Sequence, residues 1–71
     1  MKKEDIEGFK GREPFLIFTK YKSIYTVREV KKLTDSSVTF IDKFNGLNVI
    51  DLKDISEIKD ISNNKGVKSN V

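Results

Sequence analysis

Between Lys20 and Lys32 the chain sets five basic side chains, Lys20, Lys22, Arg28, Lys31 and Lys32, beside the rings of Tyr21 and Tyr25. Positive charge attracts phosphate and an aromatic face stacks a base, so this mixture suits single-stranded nucleic acid. The candidate nucleic-acid contacts are Lys20, Lys22, Tyr25, Arg28, Lys31 and Lys32. An equally physical reading makes them a solvated strand surface, where lysine discourages edge-to-edge pairing and tyrosine sits half-buried at a rim. Other chemistry is thinly supplied. With no His and no Cys, the imidazole base, the thiolate nucleophile and the usual zinc ligands are missing, and no disulfide framework exists. Asp51 and Asp54 fall near a turn, but spaced acids on a chain that is 35% charged read as a solvated face. No glycine-rich phosphate loop appears. The expectation is a binding module, not an enzyme, with no cofactor and no metal.

The charge is unevenly laid out, which matters more than its total of +3. From Pro14 to Leu33 five basic residues face one acid, whereas from Thr34 to Ile61 three basic residues face six acids. A basic half of one copy could therefore meet an acidic half of the next, in a head-to-tail assembly that closes into a ring or runs into a filament. A monomeric adaptor binding another protein through a strand edge is a further option. At 71 residues the chain forms one domain of marginal stability, so self-association and a compact barrel standing alone weigh equally. No apolar run approaches the roughly 18 residues that span a bilayer, and no apolar core follows the charged N-terminus as in a signal peptide. A soluble, cytoplasmic protein with no membrane partner is expected.

The elements that must carry these residues read as mainly β. Residues 1–13 are charged, with Ile6 and Phe9 three apart, and predict a short helix pressing both onto the domain, limited by Gly8 and Gly11. Pro14 opens the strand Phe15-Leu16-Ile17-Phe18-Thr19, and Tyr21-Lys22-Ser23 reads as a hairpin connection. From Ile24 to Leu33 apolar residues recur every three positions. This fits either a helix capped by Ser23 or, preferably, a long strand with a bulge or bend near Arg28-Glu29. Thr34 to Ser37 is a turn, and Val38 to Asp42 and Leu47 to Leu52 form a hairpin whose Asn45-Gly46 suits a tight turn with two positive-φ residues. Residues 53–61 read as a single helical turn and a closing strand, or as a two-turn helix; residues 62–71 read as a disordered tail.

This order resembles the Sm-like family, the Hfq/Lsm type of small β-barrel, over residues 14–61. The resemblance rests on the apolar first strand Phe15-Leu16-Ile17-Phe18, the bent second strand Ile24 to Leu33 and Asp35 in the turn after it. The hairpin Val38 to Leu52 and the closing Asp54-Ile55-Ser56-Glu57-Ile58 complete it. It implies a small five-stranded SH3/Sm-like barrel, RNA as the partner class and a homo-oligomer. The family's Tyr-Lys-His stretch before the last strand has Asp51-Leu52-Lys53-Asp54 in its place, so its RNA pocket is not carried over. The expected RNA contacts remain those of the basic strands.

Overall fold

In a computed structural model that describes residues 1–61, five antiparallel strands form one sheet beside a short helix. The expected tail, residues 62–71, lies outside the described residues. In chain order the elements are α1 (Lys3–Glu7), β1 (Phe15–Thr19), β2 (Ile24–Leu33), β3 (Ser37–Asp42) and β4 (Leu47–Asp51), then a 3-10 turn, Leu52–Asp54, and β5 (Ile55–Asp60). The sheet order is β4-β3-β2-β1-β5. β5 crosses back to lie on β1, so β4 and β5 are the outer strands and no ladder joins them.

Burial follows the two-residue period of the strands. On β1 the side chains of Phe15, Ile17 and Thr19 are buried while Leu16 and Phe18 face outward, half-covered. β3 turns Val38 and Phe40 inward. With Val27, Leu52 and Ile55 these residues make the core, and Ile6 of α1 joins them with no exposed surface. The helix is as short as its glycines suggest, and its first turn is held by the Lys2 N–H donating to Asp5 Oδ2 at 3.1 Å. Phe9, just beyond it, lies 5.4 Å from the Phe15 ring, so both predicted anchors dock.

The three-residue recurrence in β2 comes from two bulges. Its register against β3 slips between Val27 and Glu29 and again between Val30 and Lys32, leaving Arg28 and Lys31 without an opposing residue. Each slip shifts the phase by one, which keeps Val27, Val30 and Leu33 on the core side although they are spaced by three. The segment after β4 is the 3-10 turn and strand, not a two-turn helix.

The β3–β4 turn differs from the tight primed form. Asp42 and Gly46 are joined by a backbone bond of 2.9 Å, which leaves a three-residue loop, and Asn45 (φ 67°) rather than an Asn-Gly pair takes the positive φ. A loop of this length is built from a type I turn followed by one left-handed residue, a position asparagine tolerates better than most side chains. The β1–β2 connection repeats it: Thr19 and Ser23 share a 2.9 Å bond, and Lys22 (φ 68°) takes the left-handed position.

Candidate nucleic-acid interface

The two matching turns sit at the same end of the strand meander, because β1–β2 and β3–β4 reverse in the same sense. In each, the residue before the loop holds it with a side-chain oxygen. Thr19 Oγ1 accepts from the N–H groups of Tyr21 (3.3 Å) and Ser23 (3.2 Å), and Asp42 Oδ1 from those of Phe44 (2.9 Å) and Gly46 (2.8 Å). Asp42 Oδ2 also accepts from Asn48 Nδ2 at 2.8 Å. These donors favour the carboxylate: the Gly46 N–H most, then Asn48, with Phe44 adding to them, and they hold the Asp42 pKa below its ordinary value of 3.8 against a partial desolvation.

Fixed in this way, each loop puts an aromatic ring at its tip. Tyr21 is 68% exposed and Phe44 81%. A lysine stands over each ring, Lys20 Nζ 5.5 Å from the Tyr21 centroid and Lys43 Nζ 5.2 Å from that of Phe44. Between Phe44 and the outward residues of the first two strands runs a groove of about 300 Å3, floored by Leu16, Ile24 and Thr26 and flanked by Tyr25.

The six residues singled out in the sequence are not brought together as one cluster. Lys20 is at the first tip, but its ammonium lies 3.3 Å from Asp54 Oδ1, and its backbone N–H donates to the Asp54 carbonyl at 2.9 Å. Asp54, one of the two acids near the turn, is thus committed to Lys20 and to the Tyr21 hydroxyl, which reaches it at 3.5 Å. Among the described residues no group of three or more acidic side chains converges on a possible metal position. Tyr25 turns its ring edge-on to Phe40, 5.8 Å away, and is partly core. Arg28, on the first bulge, donates to Asn45 Oδ1 and so braces the β3–β4 turn. Lys31, on the second bulge, pairs with Glu29 at 3.3 Å, with both groups well exposed. The ammonium groups of Lys22 and Lys32 have no hydrogen bond or ion pair among the described residues.

Lys20, Lys22, Tyr25 and Arg28 therefore belong to the turn-bearing end, whereas Lys31 and Lys32 lie towards the far end of β2. Reading charge runs missed Lys43 and Phe44, which fall in the acidic half of the chain. The signal for them was a repeated pair, Lys20-Tyr21 and Lys43-Phe44, each just before the left-handed residue of a hairpin turn.

Within the basic half, β1 is paired with β2 and β5 over the same residues, whereas β2 is paired with β1 over Ile24 to Val27 and with β3 over Val27 to Leu33. Each arm of β2 therefore carries a ladder on one side alone among the described residues, and a head-to-tail contact with an acidic strand finds a backbone edge there but none on β1. Among the described residues no helix is long and apolar enough to cross a membrane. Comparison with known proteins finds no match to this chain among family models, curated proteins or solved structures.

Proposed function

We propose that the protein is a non-catalytic module that binds single-stranded RNA at the end of the sheet carrying the two hairpin tips. The observation that supports this is the duplicated turn, which presents two exposed rings, Tyr21 and Phe44, each beneath a lysine. An exposed ring costs solvation unless a partner covers it, and every base, purine or pyrimidine, offers a flat face to do so. Lys22 and Lys43 are placed to meet phosphates beside the stacked bases, while Arg28 holds the second turn in position through Asn45. The two ends of the basic stretch differ in role: Lys31 and Lys32 lie away from the rings and add only to the long-range field.

The test is fluorescence anisotropy with a labelled, mixed-sequence single-stranded RNA, titrated over a salt series. Stacking is worth about 1–3 kcal/mol per base, so Phe44→Ala is expected to weaken binding roughly five-fold to a hundred-fold, and Tyr21→Ala to do so comparably. Two to three phosphate contacts on a single strand give a log-log salt slope between about −1.4 and −2.1. Unchanged affinity in the Tyr21→Ala/Phe44→Ala double variant, or no binding by the wild type at low salt, refutes the reading.

A further inference from the structure

We infer that a second copy of this chain docks along the open edge of β4, strand against strand, to give a two-fold symmetric dimer with one continuous sheet. β4 reads Leu47-Asn48-Val49-Ile50-Asp51, and it is an outer strand. Its outward side chains Leu47 and Val49 are 65% and 64% exposed, the two largest apolar exposures within any described strand, above Ile24 at 59%. The ladder to β3 is bracketed by bonds from the Asp42 N–H to the Gly46 carbonyl and from the Leu52 N–H to the Ser36 carbonyl, both 2.9 Å. By the alternation of an antiparallel pair, the N–H and C=O groups of Leu47, Val49 and Asp51 then point away from β3, towards the open side.

Edge strands are normally guarded against pairing by lysine, proline, a bulge or a charge placed mid-strand. β4 has none of these in its interior; its one charge, Asp51, stands at its end, and its register with β3 is unbroken. The other outer strand is guarded, with Glu57 and Lys59 exposed along it. The unguarded edge therefore finds its match in itself. Antiparallel self-pairing sets Leu47 and Val49 of one copy against Val49 and Leu47 of the other, and it sends the two Asp51 carboxylates to opposite ends. Parallel pairing would stack those carboxylates on each other, a destabilising arrangement. The same two-fold sends the two ring-bearing hairpin ends in opposite directions along the joined sheet.

The test uses light scattering on the full chain and two single variants at the exposed position, Val49→Lys and Val49→Glu. The wild type is expected to run at twice the chain mass over a concentration series. Each variant alone is expected to be a monomer with an unchanged far-UV circular dichroism spectrum, because each charge is then set against the partner's Leu47 and the two like charges lie diagonally across the axis, within reach of each other. Mixing the two variants is expected to restore the dimer. A monomeric wild type overturns the inference, as does a larger ring, or a pair of variants that are monomeric alone and stay monomeric when mixed. Dimers that survive either single substitution overturn it as well.

Discussion

Ile6 tests whether the helix is part of the folded unit. It is the one α1 residue with no exposed surface, and it reaches the core formed by Phe15, Ile17 and Phe40. Ile6→Ala removes three carbons, about 2.4 kcal/mol at roughly 0.8 kcal/mol per buried methylene. The cavity left behind brings the loss to about 3 kcal/mol, within the usual range of ~2–5. A domain with 61 described residues holds roughly 3–9 kcal/mol in total, so the substitution removes a third of it or more. In urea, with an m-value near 1 kcal/mol/M for so small a protein, the midpoint is expected to fall by about 3 M at unchanged m, followed by far-UV circular dichroism. Two results would refute the reasoning. A loss under about 1 kcal/mol would mean that α1 is only loosely attached. A lowered m-value together with fast tryptic cleavage at Lys10 or Arg12 would mean that the helix detaches by itself while the sheet survives.

Other expectations concern the turns and the surface. Lys22 holds a left-handed conformation that its β-carbon disfavours, so Lys22→Gly should raise stability by up to about 1 kcal/mol, and Asn45→Gly by less; thermal melts compare them. The Asp42 pKa is lowered in the folded state, so its contribution is fully present above its ordinary value of 3.8 and is lost as the pH falls through the folded value below that. Urea midpoints at neutral pH should therefore separate wild type from Asp42→Asn, and the gap should close in acid; a gap that persists there argues against the carboxylate's part in the turn. Lys31→Ala should shift stability by no more than about 0.5 kcal/mol, since Lys31 and Glu29 form an exposed pair, and a larger loss in denaturant titration would contradict this.

The strands were readable where one rule applied at a time. β1 announced itself because Pro14 and a run of β-branched and aromatic residues agree, whereas the three-residue step of Ile55, Ile58 and Ile61 fitted a two-turn helix nearly as well as the 3-10 turn with β5 that forms. β2 was harder because its apolar spacing fits no single period: two bulges, at Arg28 and Lys31, add a residue each, and only the partner strand defines where. In the β3–β4 turn the sequence named the residues but not the loop length, since the Asp42 side chain decides it by gathering the N–H groups of Phe44 and Gly46. The interface was least readable. A charge run shows where lysines are, but whether Lys20 is free or bound to Asp54 depends on a contact across nearly half the chain.

The pairing of β5 with β1 has a consequence for how the chain reaches this state. Three of the four ladders join consecutive strands, but the fourth pairs Phe15 with Asp60 across about three-quarters of the described length. Such closure is entropically costly and late, because the loop must be drawn in before its contacts repay it. Until then the open edge of the meander is β1, the most apolar strand in the protein. During synthesis, when the last strand is the last to emerge, Phe15-Leu16-Ile17-Phe18 waits uncovered. A chain cut short before Ile55 never covers it, and the expected fate of that fragment is precipitation through β1 rather than a smaller folded domain.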